Sequence, residues 1–270
     1  MTGMCLRASA VAALVIAMSW SSARPSVAGD ADDSWREIAN NAFNSRPLAD
    51  GSGLITLEMP ARAEDAAVVP VTMRANLPPG DTRTLRSLTL VIDENPSPVA
   101  ATFNVGPGVT MISTRVRVNS HTKVHAVAEL SDDKLYVVET YVKASGGCSA
   151  PMANADENAT KIGQMQFRQF TKTEPATVSR EAQIMIRHPN NSGLQRDQVT
   201  LYYIPLFIVR QLRVWQGNQL VLEMDGGISI SENPNIRFSY VPNGASTFRV
   251  EAVDTDGHIF KGEWPVEPAT

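Results

Sequence analysis

The chain has 270 residues, with 24 Lys and Arg against 28 Asp and Glu, a formal net charge of −4 and only two cysteines. This mildly acidic balance gives neither a nucleic-acid footprint nor a polybasic membrane-binding patch. The length suits one large domain or two ordinary ones, each able to bury a core.

The N-terminus reads as an export signal. Arg7 closes a short basic region, residues 8–20 form an apolar run, and Ser26-Val27-Ala28 offers small residues for cleavage. The run is shorter than the roughly 20 residues a membrane-crossing helix needs, and no later stretch is both long and apolar enough. Cys5 precedes the apolar run, which argues against a lipoprotein anchor, and Arg7 has no neighbouring arginine to suggest a twin-arginine signal. The expectation is a signal peptide over residues 1–28, cleavage near Ala28, and a soluble periplasmic protein. Losing Arg7 and Arg24 takes the mature net charge to −6 and leaves Cys148 as the sole cysteine. An exported protein with one cysteine forms no internal disulfide. Its thiol is free, joined to another molecule, or chemically used.

One short N-terminal helix is predicted, "SWREIANNAF", with Ser34 as its cap and Trp35, Ile38, Ala39, Ala42 and Phe43 along one face. Pro47 and "ADGSG" end it. From Leu54 the pattern becomes β: "LITLEM", "VVPVTMRANL", "SLTLVID", "AATFNV", "TMISTRVRV", "KVHAVAEL" and "LYVVETYVK", divided by turn signals such as "LPPGD" and "ENPSP". Such short alternating strands predict an antiparallel β-sandwich over residues 29–148. Residues 149–161 are small and polar without periodicity, and read as a flexible linker.

A second β-sandwich is expected over residues 162–270. Its candidate strands are "MQFRQF", "EAQIMIRH", "TLYYIPLFIVRQLRVWQG", "QLVLEMDGG", "RFSYVP", "TFRVEAVD" and "HIFKGEWPV". The long run from Leu201 to Trp215 is read as extended strands broken once at Pro205. Trp215, Tyr202, Tyr203, Phe207 and Phe260 are assigned to the core or to the contact between the two sandwiches.

Other constellations carry little chemistry. His121 and His125 flank the start of a strand, where four residues separate side chains by roughly 13 Å, too far to share a metal. "DTDGH" at 254–258 resembles a calcium loop, but its glycine is at the fourth position and Pro265 stands where the bidentate glutamate belongs; a hairpin turn is expected. "NVGPG" and "DGSG" lack a phosphate-loop lysine, and no "GxSxG" elbow occurs. Neither a metal nor a cofactor is expected.

Cys148 lies in "KASGGCSAPM". Gly146 and Gly147 confer backbone freedom, so the thiol is expected to swing into a cleft of another protein. At an ordinary pKa only about 3% is thiolate at neutral pH, and the nearest cation in sequence is Lys143. Such a thiol suits a handle on which other enzymes act better than a built-in nucleophile.

The stretch ending in "VKASGGC" resembles SoxY, the sulfur-carrier subunit whose C-terminal arm ends in a Gly-Gly-Cys-Gly-Gly motif. "LTLVIDENPSPVAATFNV" and "STRVRV" are similar to that family's "NP.P" and paired-arginine strands. "IMIRHPNNSGLQRD", "YYIPLFIV" and "GGISISENPNIRFSY" resemble SoxZ. The resemblance implies a fusion of two immunoglobulin-like β-sandwiches packed as a Y/Z pair. It also implies a carrier, not an enzyme, with sulfur intermediates held covalently on Cys148 and with Gly146 and Gly147 as the arm glycines. The expected partners are periplasmic sulfur-oxidising enzymes of the thiosulfate type; an escort for a quinoprotein dehydrogenase system is the alternative. A thiol peroxidase would require a base near Cys148. His188 and Asn233 are given only structural or interface roles. Two departures stand out: Ser149-Ala150-Pro151 replaces the downstream glycines, making the arm a loop tethered at both ends. Asn190-Asn191-Ser192 replaces the family's Met-Glu-Thr.

Overall fold

A computed structural model describes residues 30–151, 161–170 and 179–267. The expected signal peptide and residues 152–160 of the expected linker lie outside the described residues. The chain is all-β, built as two immunoglobulin-like sandwiches with one helix.

The helix α1 spans Asp30–Ala42. It begins upstream of Ser34, which sits inside it rather than capping it. The first half contributes β1 (Leu48–Asp50), β2 (Ile55–Glu58), β3 (Val69–Ala75) and β4 (Leu85–Ile92). These are followed by β5 (Val99–Val105), β6 (Met111–Val116), β7 (Thr122–Leu130) and β8 (Leu135–Val142). The second half contributes β9 (Met165–Phe170), β10 (Arg180–Ile186), β11 (Val209–Gln216) and β12 (Gln219–Gly226). It ends with β13 (Asn235–Tyr240), β14 (Thr247–Asp254) and β15 (Ile259–Pro265).

The halves are more than neighbours, because they share both sheets. One nine-stranded sheet runs β1-β8-β7-β4-β5-β12-β11-β14-β15, and a six-stranded sheet runs β2-β3-β6-β13-β10-β9. The joins are antiparallel: Met224 opposes Phe103 between β12 and β5, and Phe238 opposes Ile112 between β13 and β6. Had the halves stood apart, β5, β6, β12 and β13 would be edge strands with unpaired backbone groups. Pairing each with its counterpart satisfies those groups and makes one two-layered body. Its core is continuous, from Leu88, Phe103 and Ile112 in the first half to Leu212, Phe238 and Phe248 in the second.

The nine-stranded sheet also buries part of its outer face. Along β7, Val124, Ala126, Ala128 and Leu130 point into the sandwich, while Val127 faces α1 together with Val91 and Leu135. Ala39 and Phe43 of α1 seal that second, smaller cluster, as their helical spacing requires. Trp35 stacks on His125 with ring centroids 3.6 Å apart and planes 7° from parallel. β1, which the sequence pattern did not suggest, pairs in parallel with β8 beside this helix.

The region before β11 departs from expectation. Residues 201–208 form no named strand, only isolated bridges of Arg196 to Tyr203 and Asn191 to Phe207. Tyr202 and Tyr203 are 77% and 60% exposed, so they belong to neither core nor inter-half contact. Their loop folds back on itself instead, with Arg196 packed over the Tyr203 ring at 4.7 Å. "DTDGH" forms the β14–β15 hairpin, where Asp254 Oδ1 accepts the backbone N–H groups of Asp256 and His258.

Candidate functional site around Cys148

The site begins where β8 ends. Lys143 bridges to Arg62, and the chain then turns through residues 144–150 across the end of the sandwich. His121 Nδ1 donates to the Ala144 carbonyl at 2.8 Å. The Gly146 N–H donates to Asn119 O at 2.7 Å and the Gly147 N–H to Val118 O at 3.1 Å, while the Ser149 N–H closes the turn on Gly146 O. The loop is thus stitched to the segment just after β6.

Asn95 holds that segment in turn. Its amide nitrogen donates to Arg117 O at 2.7 Å and to Ser229 Oγ at 2.8 Å, and its Oδ1 accepts the Asn119 N–H at 2.8 Å. "ENPSP" reads locally as a turn, but its asparagine is buried and ties the two halves together where the cysteine loop docks.

The second half closes over the loop from the other side. Ser192 Oγ donates to the Cys148 carbonyl at 2.5 Å, and Gln195 Nε2 donates to the Ala150 carbonyl at 3.1 Å. Gln195 Oε1 accepts the Ser192 N–H at 2.9 Å, which fixes the serine in place. Asn190 anchors this lid: at φ 48° its Nδ2 donates to Ile230 O and its Oδ1 accepts the Val209 N–H. The Asn190-Asn191-Ser192 departure therefore falls on the segment that covers the cysteine.

Cys148 is completely buried. In this docked state the two glycines meet steric needs distinct from the swing expected of them. Gly146 sits at φ 75°, which suits a residue without Cβ. At Gly147 a Cβ would lie 2.0 Å from Ala66 O and 2.6 Å from Val118 O, so backbone presses against backbone there. Burial pushes the Cys148 thiol up to about 11, against a weaker pull downward from Arg117.

Arg117 is the site's charged neighbour. It is 1% exposed, its backbone N–H donates to Ser229 O, and its Nη1 donates to the Gly147 carbonyl at 3.2 Å. Its Nε and Nη2 have no hydrogen-bond partner among the described residues. Burial pushes this guanidinium below its usual range, opposed by the charges of Glu232, Cys148 and Asp65. Two residues back, Arg115 is also pushed down by burial, and its Nη2 donates to Asn233 O. The alternation in "TRVRV" was legible as strand. What it did not announce was that Arg117 lies past the end of β6, under the cysteine loop.

The remaining predicted features lie elsewhere. His125 Nε2 faces Asp93 Oδ2 at 3.1 Å beneath α1, whereas His121 serves the loop, so the two do not converge. His188 and Asn233 join near the domain junction, where the Asn233 N–H donates to His188 O at 2.8 Å. Among the described residues no His, Cys, Asp and Glu cluster has metal-binding geometry. Beside the loop, an open hollow of about 610 Å³ is lined by Ser149, Pro151, Leu194, Arg196, Leu201 and Tyr203.

Comparison with known proteins agrees with this layout. The family model of sulfur oxidation protein SoxY matches residues 39–148, ending on Cys148, and that of sulphur oxidation protein SoxZ matches residues 170–265. No curated protein matches the chain. Among solved structures, the sulfur carrier protein SoxY from Chlorobium limicola f thiosulfatophilum is 26% identical, covering 42% of this chain and 94% of its own at a TM-score of 0.36. A superoxide reductase (neelaredoxin) from Ignicoccus hospitalis is 11% identical, covering 33% of this chain and 78% of its own at a TM-score of 0.29. Those two overlaps are too loose to carry an argument, whereas the two family models, in tandem, span most of the described chain. The protein belongs to the SoxY and SoxZ sulfur oxidation families, fused in one polypeptide.

Proposed function

We propose that this protein is an exported, periplasmic sulfur carrier that holds sulfur intermediates covalently on Cys148 while partner enzymes act on them. The observation that carries this reading is the placement of Cys148: it lies where the two halves meet, on a loop fixed mainly by hydrogen bonds. Such bonds contribute only about 1 kcal/mol each, so a docked loop of this kind can be lifted out without unfolding either sheet. A thiol raised to about 11 is unsuited to built-in catalysis, because it holds almost no nucleophilic thiolate while docked. The same property protects a carrier thiol from adventitious oxidation between encounters.

Loading takes place on the lifted loop. For a thiosulfate cargo, the Cys148 S–H bond breaks and its sulfur bonds to the outer sulfur of thiosulfate, giving Cys148–S–S–SO₃⁻, with one proton released and two electrons passing to an oxidant held by the partner enzyme. The sulfur–sulfur bond is the only bond formed. Because Ser149 continues the chain instead of ending it, the partner must admit a loop rather than a tail. The hollow beside Ser149 and Pro151, with the exposed Leu201 and Tyr203 next to it, lies where such a partner would rest.

Intact-mass measurement on protein isolated from cells oxidising sulfur compounds tests the proposal. Reducible sulfur adducts absent from Cys148→Ser are expected; an unmodified thiol in every such preparation overturns it. Escort of a quinoprotein dehydrogenase, the second reading, draws on the depth at which Cys148 is buried. It predicts unchanged dehydrogenase activity in Cys148→Ala and loss only when the whole chain is deleted.

A further inference from the structure

Arg117 is a buried cation whose donors the docked loop leaves largely unmet. Arg117 is 1% exposed, yet among the described residues only its Nη1 has a hydrogen-bond partner, the carbonyl of Gly147 immediately before the cysteine. Nε and Nη2 have none. Leaving charged donors buried and unsatisfied costs several times an ordinary hydrogen bond, so a chain seldom keeps such a group without use for it. Glu232 and Asp65 act on this guanidinium through space, and so does Cys148 itself, while Arg115 adds a second, half-buried cation on the same segment. The cysteine loop thus rests on a guanidinium that touches it through Nη1 and keeps two buried donors in need of an acceptor.

We propose that Arg117 is the counter-charge for the cargo: its free Nε and Nη2 recognise an anionic oxygen-bearing group on the Cys148 sulfur and hold the loaded loop docked. A guanidinium offers a planar pair of donors that matches a sulfonate or carboxylate edge. The chain just past the cysteine borders a hollow of about 610 Å³ at Ser149 and Pro151. With a neutral thiol the latch is half satisfied and opens readily. With an anionic adduct it is fully satisfied and keeps the charged intermediate from solvent until a partner draws it out. Arg117 is in this sense a positioning residue. The inference rests on the carrier reading only for what the natural anion is.

Two adducts of nearly equal size separate charge from bulk. Iodoacetate puts a carboxymethyl group on Cys148 and iodoacetamide a carbamidomethyl group, each displacing iodide from the thiolate. Hydrogen exchange at the Gly146 and Gly147 amides, both bonded in the docked loop, then reports docking. In the wild-type chain the carboxymethyl adduct is expected to exchange about tenfold more slowly than the carbamidomethyl one. The difference should vanish in Arg117→Met and partly return in Arg117→Lys. Equal exchange of the two wild-type adducts, whether both docked or both released, overturns the inference, as does a difference that persists in Arg117→Met. Should Arg117→Met fail to fold, the wild-type pair decides alone. This outcome is independent of the mass measurement above: absence of natural sulfur adducts would sink the carrier reading while leaving the anion preference of Arg117 as measured.

Discussion

Replacing Gly147 by alanine should release the cysteine loop while leaving both sheets intact. The new Cβ would lie 2.0 Å from Ala66 O, 2.6 Å from Ala66 C and 2.6 Å from Val118 O. All three are backbone atoms, which a rotamer change cannot clear. The loop must lift, and with it go the bonds from Gly146 and Gly147 to residues 119 and 118, from Arg117 to Gly147 O and from Ser192 to Cys148 O. Those four bonds amount to roughly 4 kcal/mol of docking free energy. The freed thiol returns from about 11 to about 9. Its thiolate fraction at neutral pH then rises about 100-fold. Alkylation by iodoacetamide at neutral pH, followed by mass spectrometry, should therefore accelerate by about 100-fold or more. Thermal unfolding should shift down by roughly 10 °C, at about 2–4 °C per kcal/mol for a chain of this size, and remain a single transition because the continuous core is untouched. An alkylation rate within threefold of the wild type, in a folded protein, would refute the docked-loop account.

Ser192→Ala removes the bond that the second half makes to the Cys148 carbonyl, so the same alkylation rate should rise about fivefold, with Ser192→Thr closer to wild type. The pH dependence of stability follows from the raised thiol. An acid whose neutral form the fold prefers has no effect below its unfolded pKa and destabilises the fold as pH climbs from there toward the folded value. Docking should thus weaken between about pH 9 and about 11, by at most about 3 kcal/mol, and Cys148→Ala should lack that decline in denaturant titrations followed across the window. Because β5 pairs with β12 and β6 with β13, a protease site engineered into residues 152–160 should yield two fragments that co-elute in gel filtration and melt in one transition. Separate elution of the halves would contradict the shared-sheet architecture.

The strands were legible because their periodicity is local. "KVHAVAEL" alternates, and β7 does place Val124, Ala126 and Ala128 inward. The missing information was relational. Nothing in "AATFNV" or "QLVLEMDGG" says that β5 and β12 pair with each other, since any unpaired edge offers the same backbone groups. Tyr202 and Tyr203 were assigned to the core on composition, but a loop held by Asp197 and Arg196 turns them to solvent. The cysteine stands out in the sequence by its count and its glycine context. Its burial does not, because glycine reads equally as freedom and as close approach, and only the position of Ala66 O decides between them at Gly147. Ser192, Gln195, Asn95 and Arg117 come from distant parts of the chain, and Asn95 and Arg117 read as turn and strand in their own neighbourhoods.

The proposed function stands or falls on whether Cys148 carries sulfur between enzymes. It is tested most directly by supplying radiolabelled thiosulfate to the periplasmic extract together with the purified chain, then following label on the peptide containing Cys148. Label is expected to enter this peptide, to be removed by thiol reductants, to disappear on a chase with unlabelled thiosulfate, and never to appear in Cys148→Ser. Label that is absent from the peptide, or that enters and is not turned over during the chase, would contradict it.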